Sequence, residues 1–339
     1  MKEVVNIDNQ FNKSEIRCSR LKCPLGNLQP LQFFSLVDYR NKLFTSDDPN
    51  KILEFYKGFG NRDQLIRWMK ERPNGVHTIY EVDGNEEVIV VIPTADFNGK
   101  YAMECRNNIF KGLHMVFVES GGRGDFYFNG AHNINIGIKK AMEYNPKWIV
   151  FSGDDMYKVD EVNVLIDGLE RLDNSNVDIV FTQPSAYHSS TEKLSKPNFL
   201  FKIYNVLYYK KSGIWMLKFH KKFQVTHFVS HISSKFSKLF KSGYKFLEIQ
   251  DFAIFSANWV LKHSVNVYDE TFINAVEDTD LSIQFSLTGD RIGKIDYKIG
   301  DMIGSTLGNG MDRRLRSIAS MVYFSSKLET LFSKIRSLP

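Results

Sequence analysis

The 339-residue chain contains little cysteine, and this shortage excludes one class of protein. Its three cysteines, Cys18, Cys23 and Cys105, are too few for a disulfide framework and are typical of a protein kept in a reducing compartment. Cys18 and Cys23 could supply two ligands of a metal site. No further Cys or His lies near them, so two ordinary thiols are the simpler interpretation.

The sequence also lacks the usual features of secreted and membrane-spanning proteins. Its first residues, MKEVVNIDNQFNK, contain no apolar signal-peptide core. No stretch reaches the roughly 18 uninterrupted apolar residues that a membrane span needs. The composition, with 43% hydrophobic and 24% charged residues, is that of a folded protein. We therefore expect a cytoplasmic protein, soluble or peripheral at the inner face of a membrane.

The net charge of +5 is unevenly distributed. The segment 192–245 contains 12 lysines and one acidic residue, so the rest of the chain is net acidic. Within it, one side of a predicted helix is apolar: Phe228, Ile232, Phe236, Leu239 and Phe240. The flank and opposite side carry His231, Lys235, Lys238 and Lys241.

Lysines beside bulky apolar side chains favour a helix that lies on an anionic membrane surface. The alternative is a basic, aromatic helical insert whose rings form its own core and whose lysines are solvated. We expect no nucleic acid partner, because the rest of the chain is acidic and no recognition motif is present.

Strands alternate with helices from residue 86 onward. The predicted strands are EVIVVIPTAD, HMVFVESGGRG, KWIVFS and VDIVFTQP, and NGAHNINIGIKKAMEY and VDEVNVLIDGLERL are predicted helices between them. This alternation predicts βαβ units, and hence an α/β fold with a mostly parallel sheet flanked by helices. Ligands of such sheets bind at the carboxyl ends of the strands, here 94–96, 119–122 and 153–155.

The chain divides into three predicted regions. Residues 1–85 form a partly helical N-terminal accessory region, with helices at DDPNKILEFYKGF and NRDQLIRWMKERPNG. Residues 86–310 form the α/β domain, including the insert 192–245. Residues 311–339 form a C-terminal helix.

Two adjacent carboxylates, Asp154 and Asp155, directly follow the buried strand KWIVFS. Like charges repel, and burying either one unpaired is costly. Either water solvates both at a loop tip, or a cation binds them. Mg²⁺ and Mn²⁺ prefer oxygen ligands, and Mg²⁺ often binds one or two carboxylates together with substrate phosphates. Gly153 would allow such a ligand to approach the backbone.

A second acidic cluster, Glu277, Asp278 and Asp280, lies at a predicted helix start. The acids could simply complement the helix dipole. Alternatively, one carboxylate is a general base, since crowded acids raise one another's pKa values.

These motifs, in this order, resemble the inverting glycosyltransferases of family 2, which have the GT-A fold. The resemblance covers residues 88–327 and rests on five stretches: VVIPTAD, FVESGG, NINIGIKKA, WIVFSGDDM and VYDETFINAVEDTDLSIQF. It implies a Rossmann-like GT-A domain and transfer of a sugar from a nucleotide-diphosphate sugar to the hydroxyl of a glycan or lipid-linked acceptor.

The resemblance also implies residue roles. Asp155 would be the main ligand of Mn²⁺ or Mg²⁺, with Asp154 beside it, and Asp278 would be the catalytic base. Glu277 and Asp280 would shape the site of that base. The donor would be bound by Pro93, Thr94, Asp96, Glu119, Gly121, Asn135, Asp154 and Arg313.

Two positions depart from the family pattern. Asp301 stands where a metal-binding His often occurs and would replace it as a metal ligand, and Gly153 stands where many relatives have an Asp. These departures leave open a catalytically degenerate GT-A domain that acts as a membrane or partner adaptor. A sugar-phosphate nucleotidyltransferase is a further alternative, but it should carry a glycine-rich loop with Arg and Lys after the first strand. IPTADFNGKYAM offers only Lys100.

Overall fold

The computed structural model describes residues 39–121, 125–182, 189–195, 213–226, 228–229, 244–302 and 310–336. The strands are β1 His77–Val82, β2 Asn85–Thr94, β3 Leu113–Ser120, β4 Trp148–Ser152, β5 Met156–Lys158, β6 Ile179–Thr182, β7 Ser189–Ser195, β8 Phe228–Val229, β9 Tyr244–Ile249, β10 Phe252–Ser256, β11 Ile292–Ile295 and β12 Ile299–Asp301. The helices are α1 Pro49–Lys57, α2 Arg62–Glu71, α3 Lys100–Glu104, α4 Gly130–Ala141, α5 Val162–Glu170, α6 Gly213–Lys222, α7 Ala257–Lys262, α8 Glu277–Thr288 and α9 Met311–Arg336.

The fold is α/β, as predicted, and its main sheet has seven strands in the order β1-β3-β2-β4-β10-β6-β11. β2 runs parallel to β3 and β4, and β11 runs parallel to β6. However, β10 lies antiparallel between β4 and β6, and β1 lies antiparallel to β3. The sheet is therefore mixed: β2, β3, β4, β6 and β11 run in one direction, and β1 and β10 run in the opposite direction.

The central strands are buried on both faces, which explains their nearly continuous apolar sequences. One face packs against Leu165 and Leu169 of α5, and the other packs against Ile134 and Ile138 of α4. Helix α4 approaches β2 closely at Gly137, where a Cβ atom would lie 2.3 Å from Val91 Cγ1. This glycine therefore fixes the distance between helix and sheet. The arrangement is compatible with a Rossmann-like fold.

The N-terminal helices pack against the C-terminal helix. Asp48 caps α1 by accepting a hydrogen bond from Asn50 N, and Pro49 occupies its first turn. The hydroxyl of Tyr56 donates to Leu315 O at 2.7 Å. Strand β1 precedes the boundary predicted at residue 85, yet it pairs with β3 along its whole length. The main sheet thus begins within the region predicted to be accessory.

The described parts of the basic insert include helix α6 and a three-stranded sheet in the order β8-β7-β9. Strands therefore occur in a segment that was predicted to be helical. Most of the predicted membrane-facing helix, including Lys235, Lys238 and Lys241, lies outside the described residues. None of the helices that the structure describes is both long and apolar enough to cross a membrane.

Candidate functional site

The loops that follow β2 and β4 are joined by a hydrogen bond. Thr94 ends β2, and its Oγ1 donates to Asp154 Oδ2 at 2.7 Å. Asp154 is 7% exposed, and burial raises the pKa of its carboxyl to about 6. The charge of Asp155 raises this pKa further, while the Thr94 hydroxyl opposes the shift. Asp154 is thus a buried acid with a raised pKa, and it lies beside half-buried Asp155.

A second short sheet brings Asp301 to the same loop. β12 pairs antiparallel with β5, which places Asp301 opposite Met156. Next to this pair, Met302 N donates a hydrogen bond to Asp155 O at 3.0 Å. Burial, followed by the charges of Asp251 and Asp155, raises the pKa of Asp301 to about 6. Asp155 and Asp301, predicted as metal ligands, are therefore neighbours across two hydrogen-bonded strands.

Asp251 is a central residue of the site that the sequence did not reveal. It lies in the turn between β9 and β10, with a left-handed φ of 36° that Asp tolerates better than most residues. Its carbonyl accepts from Gly153 N at 2.9 Å, and its backbone N–H is near enough to the Asp278 carboxyl to lower the pKa of that group. One residue thus links the Asp154–Asp155 loop to the second acidic cluster.

The direction of β10 is the reason that Asp251 was missed. Phe252 pairs with Ser152, so the amino end of β10 lies beside the carboxyl end of β4. If β10 ran parallel to β4, Asp251 would lie at the opposite edge of the sheet. The only sequence signal was the acid itself, directly before the apolar run FAIF.

The negative charge of Asp251 raises the pKa values of Glu277, Asp278 and Asp301. The residue keeps contact with solvent, yet protein atoms surround its carboxylate, so burial raises its pKa. The negative charge of Asp155 raises that pKa further, and Arg313 lowers it.

Glu277 and Asp278 occupy the first turn of α8. This helix begins after Val276, which has a left-handed φ of 59° and provides no side-chain cap. Both acids are partly open to the cleft, but protein atoms surround their carboxylates. Burial raises the pKa of Glu277 to about 7 and raises the pKa of Asp278 well above its ordinary value. The charges of Glu277 and Asp251 add to the shift of Asp278.

One carboxylate oxygen in this turn lacks a hydrogen-bond partner among the described residues. Glu277 Oε2 is buried and makes no hydrogen bond within the described chain. Leaving a buried acceptor unsatisfied costs about 1–3 kcal/mol, which a proton, a cation or a substrate hydroxyl would relieve.

Asp280 is placed differently from its two neighbours. It is 4% exposed, and its Oδ2 lies 2.6 Å from Lys327 Nζ on α9. Lys327 also contacts Asp269 at 2.8 Å, and Gln284 donates to Asp280 at 2.6 Å. Asp280 therefore attaches the first turn of α8 to α9, and it can shape the site only by holding that turn.

The residues predicted to bind the donor fall into two groups. Thr94 contacts Asp154, and Glu119 Oε2 accepts from Phe97 N at 2.6 Å in the loop after β2. Asp96 is exposed beside them and accepts from Asn98 N. Pro93 lies within β2, and Gly121 follows β3.

Asn135 and Arg313 lie elsewhere. Asn135 is buried, donates to Tyr268 O at 2.8 Å and accepts from Tyr268 N at 3.0 Å, so it ties α4 to the loop before α8. Arg313 is in the first turn of α9, and its charge lowers the pKa values of Asp251, Glu277 and Asp301. Arg313 therefore borders the acidic cluster.

The donor set suits a hard divalent cation, because it consists of carboxylate oxygens that lie close together. Among the residues that the structure describes, no three His, Cys, Asp or Glu side chains are arranged around a common metal position. One or two carboxylates suffice for Mg²⁺ when substrate phosphates complete its coordination. Asp155 and Asp301 are the residues that could hold it.

The site thus combines two adjacent carboxylates at the end of β4 with a crowded acid pair at the start of α8. Comparison of the chain with models of protein families and with curated proteins found no match.

Proposed function

We propose that this protein is a metal-dependent inverting glycosyltransferase with a GT-A fold, which transfers a sugar from a nucleotide-diphosphate sugar to an acceptor hydroxyl. The observation that carries this proposal is the position of Asp251 between the two acidic clusters. Its carbonyl accepts a hydrogen bond from Gly153 N, next to the Asp154–Asp155 pair, and its negative charge raises the pKa of Asp278. A metal site and a general base would therefore share one cleft.

The fold and the order of the motifs support the proposal. A mixed α/β sheet is compatible with the GT-A fold, and polar loops meet where β2 and β4 end. The five sequence stretches that resemble family 2 contribute the residues at this edge.

The chemistry assigned to the chain is a single displacement. A bound cation would neutralise the nucleotide-diphosphate leaving group. Asp278 takes the proton of the acceptor hydroxyl, and its raised pKa makes the ionised form a stronger base. The acceptor oxygen bonds to the anomeric carbon as the bond from that carbon to the diphosphate breaks, so the configuration inverts.

Binding of the donor tests the proposal directly. Nucleotide sugars are screened by thermal shift with Mn²⁺, with Mg²⁺ and with EDTA, since a ligand of the folded state raises the melting temperature. We expect one donor to raise it with metal and not with EDTA. Asp155→Ala should abolish the rise. Asp167→Ala, an exposed acid on α5, is the matched control and should retain it.

Two outcomes would overturn the proposal. A donor response of full size in Asp155→Ala would remove the metal assignment. The absence of any response to any donor would favour a non-catalytic domain of this fold that acts as an adaptor.

The basic insert supports a second part of the proposal, association with an anionic membrane surface that carries a lipid-linked acceptor. Replacement of Lys235, Lys238 and Lys241 by Gln should reduce sedimentation with vesicles that contain phosphatidylserine. Unchanged sedimentation would instead support the view that the insert only packs on itself.

A further inference from the structure

A small pocket of about 70 Å³, partly open to solvent, lies beside Arg313 of the acidic cluster, and the residues around it belong to five separate parts of the chain. The walls come from the segment before α1, the end of α2, the turn before α4, the turn before α8 and the start of α9. Its lining residues are Phe44, Thr45, Asp47, Arg72, Asp125, Phe128, Ile273, Asn274, Arg313, Arg316 and Ser317. Only Arg313 belongs to the site described above.

Arg72 is a buried cation in the wall of this pocket. It is 8% exposed and follows the last residue of α2. Its Nε donates to Asn41 Oδ1 at 2.9 Å, and its Nη2 donates to the carbonyls of Phe126 and Phe128 at 2.8 and 3.1 Å. Burial lowers its pKa to about 10. Its Nη1 makes no hydrogen bond to any residue that the structure describes. A rigid guanidinium therefore keeps one donor group available.

The charges around Arg72 are of both signs. The lining of the pocket contains three guanidinium groups and two carboxylates. The side chain of Asp47 is 92% exposed and therefore well solvated. Asp125 accepts from Tyr127 N, and Arg316 pairs with Asp312 at 2.6 Å. Arg72 forms no ion pair with a carboxylate of the described residues, although the charge of Asp125 is near enough to raise its pKa, so one anionic group could pair with Arg72.

The pocket lies close to the first turn of α8, which carries the proposed base. Asn274 Oδ1 accepts from Gly130 N at 2.8 Å. A Cβ atom on Gly130 would lie 3.0 Å from that oxygen and 4.0 Å from Glu277 Oε1. Asn274 in the wall of the pocket and Glu277 on α8 therefore both border the space beside Gly130.

We propose that this pocket binds the acceptor through one anionic group, a phosphate or a carboxylate, which Arg72 holds while an acceptor hydroxyl points toward Asp278. A guanidinium binds either oxyanion through paired hydrogen bonds. Phe128, which is half-buried at the pocket, offers apolar surface to the carbon frame of the ligand. The inference rests on the proposed function and gives the N-terminal segment a role in acceptor choice.

The test uses small anions in EDTA, without any donor, so that it does not depend on the metal site. Phenyl phosphate, benzoate and neutral phenol are titrated into the full chain by calorimetry. We expect phenyl phosphate or benzoate to bind at least tenfold more tightly than phenol. Asp155→Ala should keep this affinity while it loses the donor response, so failure of either proposal is recognised separately.

Two variants locate the binding. Asn274→Asp keeps the acceptor for Gly130 N, suits the left-handed φ of 50° and adds a negative charge to the wall, so it should weaken anion binding about tenfold. Arg72→Met should abolish binding, although it also removes contacts that hold two loops. Arg67→Met, an exposed arginine on α2, is the matched control and should bind as wild type does.

The source of the anion is decided by a lipid arm. Sedimentation is measured with vesicles that contain phosphatidic acid and with vesicles of pure phosphatidylcholine. If the phosphate belongs to a lipid, Asn274→Asp should reduce sedimentation with the phosphatidic acid vesicles. If Asn274→Asp weakens only the binding of phenyl phosphate or benzoate, the acceptor is soluble. Equal affinity for phenol and both anions, or anion affinity that Asn274→Asp leaves unchanged, would overturn the proposal.

Discussion

Two buried carboxylates at opposite edges of the main sheet have opposite surroundings. Asp178 precedes β6, and Arg291 binds it through Nε at 2.9 Å and Nη2 at 3.0 Å. Its pKa therefore lies well below the usual range. Asp154 follows β4 and has a hydroxyl and another carboxylate as neighbours, so burial raises its pKa to about 6. The first acid is neutralised by the fold itself, whereas the second is left for a ligand or a proton.

The largest expected effect is at the acidic edge. Asp278→Asn should lower the rate of sugar transfer about a thousandfold, the usual scale for loss of a general base. Donor affinity should be retained, because the loop that we propose to bind the metal keeps its hydrogen bonds. Initial rates and donor titrations of the same preparation measure both quantities.

An equal change at the other edge is the control. Asp178→Asn should leave the rate per folded molecule unchanged, since Asp178 lies at the opposite edge of the sheet. Transfer by Asp278→Asn at the wild-type rate would remove that residue from its role.

The same isosteric change separates the two edges by stability. Asp178→Asn should lower the free energy of unfolding by about 1–2 kcal/mol, because buried Asp178 loses its charge-assisted hydrogen bonds to Arg291, whose side chain is 45% exposed. Asp154→Asn should cost nothing or stabilise the metal-free protein, since it removes a costly buried charge and keeps an acceptor for Thr94. Urea denaturation in EDTA measures both. A similar loss of unfolding free energy in both variants would show that the negative charges of Asp178 and Asp154 contribute equally to stability.

The sequence allowed the α/β class and the strands β2, β3, β4 and β6 to be predicted, because short runs of β-branched and aromatic residues are typical of buried strands. The position of Asp154 and Asp155 after β4 followed from that pattern. The mixed order of the sheet did not, since residue patterns along a strand do not encode its direction. Asp251 was missed for the same reason.

Contacts between residues that are distant in sequence could not be predicted either. Asp280 and Asp278 are two residues apart, yet only the packing of α9 decides that Asp280 meets Lys327. Asn135 was predicted to contact the nucleotide-sugar donor. Its contact with Tyr268 depends on how the loop before α8 folds back onto α4, which the sequence does not show. The alternatives of bound cation and solvated acid at Asp154 were equally compatible with the sequence alone.

Lys327 at the acidic edge compensates buried Asp280 only in part, because burial still raises the pKa of Asp280 above its ordinary value. Lys327→Met should therefore destabilise the protein by about 2 kcal/mol, because it leaves Asp280 buried without its counter-charge. Lys262→Met is the matched control, since this 61% exposed lysine lies 3.4 Å from Asp178 and should contribute less than about 1 kcal/mol. Denaturation of both variants and of the double variant with Asp280→Asn measures the coupling. If Asp280→Asn does not reduce the effect of Lys327→Met, the loss comes from packing.

The smallest expected effect is the pH dependence of stability. The pKa of Glu277 is raised from 4.5 to about 7, so the folded chain keeps a proton that the unfolded chain releases. Its contribution is fully present below pH 4.5 and is lost as the pH rises through 7. Asp178 has the opposite sign, since its lowered pKa adds stability above pH 3.8 that is constant over this window.

A difference measurement isolates the acidic edge, because His220, with a pKa lowered to about 4, gives a slope of the opposite sign. The metal-free melting temperature of wild type minus that of Glu277→Gln should therefore fall by a few °C, on the order of 1–2 kcal/mol, between pH 5 and 7.5. The same difference for Asp178→Asn should stay level over that range, since Asp178 remains ionised in both states. If the difference in melting temperature between wild type and Glu277→Gln does not change with pH, other groups already stabilise the ionised Glu277 carboxylate in the metal-free protein. The acids at the two edges would then differ in their position and not in their pKa shifts.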